Sequence, residues 1–258
     1  MNIVVCVKQV PDTAVERTLT SQGTLDRASV DGLINELDEY AIEEGLKIAE
    51  AHGGEVTVLS MGPGKAAESV RKALSMGAGK AVHVLDDALA GSDALATSAV
   101  LAAALGQVGF DLVIMGSEST DARTGMVPAM VAERLGVPQL TLASKVDVSG
   151  PEVTVRRVSD EGYAVVTGTL PAVVSVVEKI NEPRYPTFKG IMAAKKKPVR
   201  VLSLADLGVD ASAVGLAGAA SWVEDFAARP PRQAGVVVKD EGDGGARAAG
   251  FLAGRKFI

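Results

Sequence analysis

Short, mostly apolar segments alternate with helical patterns over the first half of the chain. Ile3–Val7 is rich in β-branched residues, which indicates a strand covered on both faces. The other strand-like segments are Glu55–Met61, Ala81–Leu85 and Asp111–Met115. Helical patterns follow Asn35 and Gly64 and cover residues 93–105 and 125–135. This alternation predicts an α/β fold, a parallel sheet flanked by helices, in which ligands bind at the carboxyl ends of the strands.

The second half of the chain departs from this alternation. Four strand-like segments follow one another without intervening helices: Leu140–Val148, Val153–Val158, Tyr163–Thr169 and Ala172–Val177. They predict a hairpin-like β extension. Prolines and a basic run beyond Ile180 indicate a long connection. The glycine-rich tail from Gly242 is not expected to fold alone, so we expect it to lie on a partner.

Composition restricts the class of partner and the compartment. The chain has 258 residues and a formal net charge of −6, and no basic stripe alternates with aromatic residues, so we expect no nucleic acid partner. Cys6 is the only cysteine, which excludes an intramolecular disulfide and fits a reducing, cytoplasmic compartment. Met1–Val10 is apolar but too short to span a bilayer, so it predicts a first strand and no membrane insertion.

The segment Gly62–Ala67 follows a predicted strand and opens a predicted helix. Its backbone N–H groups and the helix dipole can bind a phosphate. It reads G-x-G-x-x-A, and Asp86 ends the next strand roughly as in a dinucleotide fingerprint, although that fingerprint normally follows the first strand. The pattern fits both a nucleotide phosphate site and a simple tight turn. Leu59 and Ala66 exclude a Walker loop, which requires Gly and Ser or Thr at these positions.

A second polar loop, Gly116–Gly125, lies between a predicted buried strand and a predicted helix. Its hydroxyl and backbone groups can bind phosphate, and Arg123 can add a positive charge. Asp121 either accepts a hydrogen bond from a ribose hydroxyl or caps the helix. Asn35 occupies a further helix start, where an N-cap is expected, and Asp38 follows three residues later.

No residue pattern typical of a catalytic centre emerges. His52 lies at a predicted helix end and His83 within a strand pattern, and we interpret both as structural. Cys6 is either a small core residue or, at a strand end, a neighbour of a ligand. Trp222 is interpreted as a packing residue. The sequence therefore indicates a binding chain that is not itself an enzyme.

Residues 181–198 read NEPRYPTFKGIMAAKKKP, and this segment resembles the beta subunit of electron-transfer flavoproteins. The same family pattern covers Val5–Asp12, Asn35–Glu44, Gly62–Pro63, Ala73–Ala78, Leu170–Val174 and Pro230–Gly235. The similarity thus extends over nearly the whole chain. It implies a nucleotide-binding-like domain of the adenine nucleotide alpha hydrolase type.

The resemblance also implies a heterodimer with a larger alpha subunit, which makes most contacts to one FAD. Acyl-CoA and related dehydrogenases, including those of fatty acid oxidation, pass electrons to this FAD, which transfers them to a membrane-bound quinone oxidoreductase. The beta subunit itself is an electron carrier subunit that buries a structural AMP. The implied regions are an α/β domain with β extension at 1–180, a partner-recognition loop at 181–200, and a C-terminal segment and arm at 201–258 that packs on the alpha subunit.

By position, the resemblance assigns residues to two sites. The AMP pocket would be lined by Cys6, Asn35, Glu36, Leu37, Asp38, Met61, Gly62, Gly116, Asp121, Arg123, Thr124 and Gly125. Client dehydrogenases would be bound by Tyr185, Phe188, Ile191 and Met192. Phe188 matches the position where the family presents an apolar anchor.

Three alternatives compete with this interpretation. Electron-bifurcating members of the family bind a second FAD in place of AMP and tend to have a longer loop than Asp121–Gly125, so AMP is favoured. An NAD-dependent oxidoreductase would account for Gly62–Ala67 and Asp86, but it requires an acid/base or hydride-positioning group. A stand-alone AMP-binding regulatory domain would account for the sheet but not for the long C-terminal half.

Overall fold

The computed structural model describes residues 1–232, 234–235 and 237–258. Gln233, which belongs to the Pro230–Gly235 match, and Val236 lie outside the described residues. The chain divides into a first unit, Met1–Glu224, and a second unit, Asp225–Ile258.

The first unit alternates strands and helices along its N-terminal half. Its strands are β1 (Asn2–Val7), β2 (Gln9–Pro11), β3 (Gly32–Ile34), β4 (Glu55–Met61), β5 (Lys80–Val84), β6 (Leu112–Gly116), β7 (Gln139–Ser149), β8 (Glu152–Ser159), β9 (Gly162–Thr169), β10 (Ala172–Val176) and β11 (Val199–Leu202). Its α-helices are α1 (Glu36–His52), α2 (Ala67–Met76), α3 (Ala94–Val108), α4 (Val127–Leu135), α5 (Phe188–Ala194), α6 (Leu204–Leu207) and α7 (Gly215–Gly218).

Within residues 1–224, one nine-stranded sheet has the order β11-β5-β4-β1-β6-β10-β7-β8-β9. Strand β1 pairs in parallel with β4 on one side and with β6 on the other. The chain therefore builds the sheet outward from β1 in both directions. The carboxyl ends of β1 and β6 lie next to each other at this reversal, and such a switch point forms a crevice above the sheet.

Both faces of the central strands β1, β4, β6 and β10 are buried, as continuous apolar strands predict. In β1, Ile3, Val5 and Val7 pack in one core cluster with α1 and α2, while Val4 and Cys6 pack in a second cluster with α3 and α4. Successive side chains of a strand point to opposite faces, so one strand supplies both cores. The predicted α/β fold is confirmed.

The β extension is an antiparallel meander formed by β7, β8 and β9. Strand β10 behaves differently, because it inserts between β6 and β7 and pairs in parallel with both. All four predicted strands are thus present. Their placement was not predictable from alternation, because strand pairing is decided by burial against neighbouring strands.

The segment after Ile180 is more ordered than the predicted long connection. It contains α5 and β11, and β11 adds a parallel edge strand beside β5. Trp222, expected to pack, is instead 74% exposed. A seven-residue helix and a four-residue strand are too short for their periodicity to be recognised in the sequence. Packing on α2 stabilises α5, and pairing with β5 stabilises β11.

The second unit contains a helix, α8 (Gly244–Gly254), within the glycine-rich tail. Phe251 and Phe257 are exposed in this unit. In the described part of the chain, every helix is too short or too polar to cross a membrane.

Candidate functional site

Polar side chains from three segments meet at the crevice above β1 and β6. They come from Lys8 directly after β1, from Asn35 and Asp38 at the start of α1, and from the loop 117–126 between β6 and α4. The sequence predicted the last two segments. The structure brings them together as the switch-point topology requires.

Asn35 connects the start of α1 to the loop after β6. Its Nδ2 donates to Asp38 Oδ1 and to the carbonyl oxygen of Glu118, both at 2.9 Å, and its Oδ1 accepts from the backbone N–H of Thr120 at 3.0 Å. The side chain is buried. Asn35 therefore stands at the N-cap position as predicted, but its amide makes no capping hydrogen bond to α1. It holds the loop in place instead.

Asp38 lies beneath this contact and is also buried. Its Oδ2 accepts from the backbone N–H of Lys8 at 2.7 Å. Burial raises the pKa of Asp38 to about 7, while hydrogen bonds from Asn35 and Lys8 act in the opposite direction. Gly116 permits this packing, because a Cβ atom there would lie 2.5 Å from Asp38 Oδ1.

Asp121 forms the centre of a charged cluster in the loop. Its Oδ1 accepts from Lys8 Nζ at 2.8 Å, its Oδ2 pairs with Arg27 Nη2, and its side chain is only 1% exposed. Burial alone would raise the pKa of Asp121, but the charge of Lys8 and hydrogen bonds from Lys8 and Ser119 outweigh it and hold the pKa well below its usual range. The predicted capping role is wrong, since α4 has Met126 at its N-cap.

Lys8 and Arg27 are site residues that the sequence analysis missed. The position of Lys8 could have indicated its role, because it directly follows the first parallel strand, where ligand-binding side chains lie. Its ammonium also donates to Ser119 Oγ at 3.1 Å. Arg27 lies in the irregular segment between β2 and β3, 94 residues before Asp121, and no local pattern indicates its contact.

The loop also contains polar residues whose side chains are either exposed or, within the described residues, without a hydrogen-bond partner. The hydroxyl oxygen of Thr120 is buried and has no hydrogen-bond partner within the described residues. Arg123, Thr124 and Gly125 are exposed just before α4. Arg123 adopts a left-handed conformation with φ of 49°, which is uncommon for a residue with a side chain. The loop therefore carries one buried hydroxyl without a partner in the described part of the chain, and exposed polar side chains on its outer side.

The remaining residues predicted for the pocket are divided between the two faces of the sheet. Cys6 is buried and Met61 is half-buried, and both pack with the core cluster on the α3 face. Burial raises the pKa of the Cys6 thiol, so it behaves as a core residue at a strand end. Glu36 is exposed at the start of α1, and Leu37 is half-buried.

The motif Gly62–Ala67 begins α2 through a short 3₁₀ turn. The carbonyl oxygen of Gly62 lies 3.0 Å from His83 Nε2, so His83 is a buried structural residue as predicted. Asp86 uses both carboxylate oxygens on the backbone N–H groups of Ala88 and Leu204. An NAD-binding site of this type would need the Asp86 carboxylate to bind a ribose hydroxyl. Because both oxygens already accept hydrogen bonds from the backbone, the structure disfavours the dinucleotide interpretation.

A second candidate surface lies on and beside α5. Tyr185 is 91% and Phe188 81% exposed, and Ile191 and Met192 are about half exposed. Solvent-facing apolar side chains gathered on one short segment are typical of a protein-binding surface. The four residues predicted for partner binding are thus all accessible.

This surface is attached firmly to α1. The Arg184 guanidinium donates to Glu43 Oε2 at 2.7 Å and to Glu50 Oε1 at 2.6 Å. Asn181 Nδ2 donates to the Tyr40 carbonyl oxygen and to Glu44 Oε2, at 3.1 and 3.0 Å. The hydrogen bonds that Arg184 donates to Glu50 and Glu43 raise the pKa of its guanidinium. The apolar side chains therefore project from an anchored backbone.

The parallel sheet with its polar switch-point crevice defines an α/β protein of the nucleotide-binding-like class. The family model for the electron transfer flavoprotein domain matches residues 22–207. Over 264 aligned residues, the chain is 53% identical to the electron transfer flavoprotein subunit beta of Mycobacterium tuberculosis, with 100% of this chain and 99% of that protein covered. The chain belongs to the electron transfer flavoprotein family and to its beta-subunit group.

Two further relatives carry the same description. The electron transfer flavoprotein subunit beta of Mycobacterium leprae is 52% identical, with 100% of this chain and 99% of that protein covered. That of Clostridium acetobutylicum is 39% identical over 238 residues, with 92% of each chain covered. Because the alignments span both chains almost completely, the similarity includes the β extension and the segment around α5.

Proposed function

We propose that this chain is the beta subunit of a heterodimeric electron transfer flavoprotein. Together with an alpha subunit it holds one FAD, which accepts electrons from acyl-CoA and related dehydrogenases and passes them to a quinone oxidoreductase. The chain acts as an electron carrier subunit without catalytic residues of its own. Its full-length similarity to proteins named electron transfer flavoprotein subunit beta supports this role.

We further propose that the crevice above β1 and β6 binds AMP as a structural ligand. The observation that carries this proposal is the buried Thr120 hydroxyl, which has no hydrogen-bond partner among the residues that the structure describes. It lies in a loop held by Asn35 and bordered by Lys8 and Arg27. A buried polar group left unpaired is costly, and a ligand hydroxyl or phosphate would satisfy it. Backbone N–H groups before α4 and the two cations suit a phosphate.

A second FAD in this crevice is the variant proposal. The short loop at Asp121–Gly125 and the close packing of Gly116 against Asp38 favour the smaller ligand. Asp121 is fully engaged by Lys8 and Arg27, so we propose that it shapes the loop and does not bind the ribose. Cys6 in β1, and Met61 and Gly62 at the carboxyl end of β4, are proposed to line the same pocket.

The test is the nucleotide content of the heterodimer. We expect heat-denatured complex of this chain and its alpha subunit to release about one AMP and one FAD per heterodimer, because each site holds a single ligand. Chromatography of the supernatant with nucleotide standards measures both. Two FAD and no AMP would support the variant ligand, and NAD would contradict both proposals.

We also propose that residues 181–200 form the surface to which dehydrogenases dock. Phe188 would enter an apolar pocket of the partner, with Tyr185, Ile191 and Met192 around it. Their exposure and the anchoring of the segment by Arg184 support this assignment. The exposed Lys189, Lys195 and Lys196 border the same surface, so a partner with carboxylates around its pocket fits best.

The C-terminal arm, within residues 201–258, is proposed to pack on the alpha subunit. Exposed Phe251, Leu252, Phe257 and Ile258 support this, because apolar side chains at a chain end gain stability only against a further surface.

Removing the residues after Gly235 is expected to abolish most heterodimer formation and flavin retention, since the arm would supply much of the apolar contact. Co-expression with the alpha subunit, followed by gel filtration and measurement of flavin absorbance, gives the result. Replacing Lys239 and Lys256 by glutamine in the full-length arm is the control that leaves the apolar residues in place. A truncated chain that still assembles with full flavin content would show that the arm is dispensable.

A further inference from the structure

Three consecutive lysines follow α5, and the structure separates one of them from the other two. Lys195 and Lys196 are exposed, whereas Lys197 is half-buried. The Lys197 ammonium donates to the carbonyl oxygens of Leu74 at 2.9 Å and of Ala78 at 2.6 Å. Burial lowers the pKa of Lys197. The carbonyls of a last helical turn lack partners within the helix, so Lys197 caps the carboxyl end of α2.

The carboxyl end of α5 receives the converse contact. Arg71, on α2, donates from Nη1 to the carbonyl oxygen of Ala194 at 3.2 Å, and Ala194 is the last residue of α5. Arg71 of α2 thus caps α5, and Lys197, three residues after α5, caps α2. The two backbones are also close, because a Cβ atom at Gly190 would lie 2.5 Å from the carbonyl oxygen of Ser75.

A seven-residue helix is too short to be stable by itself in water. Helix α5 depends on its contacts: Thr187 caps its first turn by accepting from the backbone N–H of Gly190 at 3.0 Å, and Arg184 ties the preceding chain to α1. Lys197 provides the matching attachment at the other end. Between these attachments, Phe188, Ile191 and Met192 face solvent.

We propose that Lys197 is a positioning residue for docking, which keeps α5 folded on α2 so that the apolar side chains are presented in one fixed arrangement. Ordering a mobile segment during docking costs binding free energy, and a segment ordered beforehand avoids that cost. The inference rests on the proposed docking of dehydrogenases to residues 181–200. It assigns Lys197 a role that its two exposed neighbours do not share.

The test compares Lys197→Met with Lys196→Met in the complete heterodimer. Both variants remove one positive charge from the same run, but only the first removes the α2 cap. We expect Lys197→Met to slow reduction of the complex by a reduced acyl-CoA dehydrogenase about tenfold, and Lys196→Met to slow it less than about threefold. Hydrogen exchange of the α5 amides should accelerate in Lys197→Met alone. Flavin content and chemical reduction by dithionite should stay unchanged in both.

Equal slowing by the two variants, with unchanged exchange in α5, would show that the lysines act by charge alone and would overturn the proposal. If Lys197→Met prevents assembly, Arg71→Met interrupts the reciprocal cap from α2, and a normal rate in that variant despite faster α5 exchange would also overturn it. The single variant Phe188→Ala, measured in the same assays, separates the docking proposal from the proposal for Lys197. If Phe188→Ala alone leaves the rate unchanged, docking through this surface fails, while the exchange data still report whether Lys197 orders α5.

Discussion

Phe188→Ala is expected to slow electron transfer from a reduced dehydrogenase about 30-fold at low dehydrogenase concentration. A single aromatic side chain that enters a partner's pocket is typically worth ~2 kcal/mol, and 1.4 kcal/mol corresponds to a factor of ten. Phe188 is 81% exposed, so its removal takes little from the fold of this chain. Stopped-flow measurement of flavin reduction at several dehydrogenase concentrations gives the rate and the apparent affinity.

The control is Tyr163→Ala, which removes an exposed aromatic side chain from β9 in the β extension. Tyr163 is 63% exposed, but it does not belong to the proposed docking surface, and we expect its removal to leave the rate unchanged. Both variants should retain flavin and the melting temperature of the wild type. Loss of flavin or a lower melting temperature in Phe188→Ala would show that this side chain supports the fold and not docking.

The free energy of unfolding is expected to fall by about 2.5 kcal/mol between pH 5 and 8 through Asp38 alone. Burial raises the pKa of Asp38 to about 7 in the folded chain, whereas an unfolded aspartate has a pKa of 3.8. Between these two values the folded state binds the extra proton, so its stability is greatest at low pH and is lost as the pH rises through 7. The titratable neighbours are Lys8, whose charge favours ionisation of Asp38, and Cys6, whose thiol stays neutral in this pH range because burial raises its pKa.

Urea unfolding of wild type and Asp38→Asn at pH 5, 6, 7 and 8 isolates this contribution. The variant cannot ionise at this position, so the difference in unfolding free energy between the two proteins should change with pH. The absolute stability of the variant is not the readout, because the amide nitrogen at position 38 would place a donor against either Lys8 N or Asn35 Nδ2, each of which donates to Asp38 in the wild type. A difference that is constant over this range would contradict the raised pKa, as would direct titration of the carboxyl group below pH 5 by ¹³C NMR.

At the crevice, the sequence predicted the segments that form the site better than the contacts of their side chains. The predicted loop after β6 and the start of α1 do meet in the crevice, because parallel topology brings the carboxyl ends of adjacent strands together. The sequence did not predict the roles of individual side chains correctly. Asn35 was predicted to cap α1 and instead holds Thr120, 85 residues later in the chain. Asp121 was predicted to cap α4 or bind a ribose, and it pairs with Lys8 and Arg27.

The sequence by itself determined the alternation of strands and helices, the parallel sheet, the β extension and the family, because these follow from local periodicity and from motifs that are continuous in the chain. Only the tertiary structure decided which polar groups became paired. It placed β10 between β6 and β7 and added β11 beside β5. It also half-buried Lys197 against the end of α2 while leaving Lys196 exposed. Such choices depend on contacts between distant residues and on the cost of burying an unpaired charge, neither of which a local pattern records.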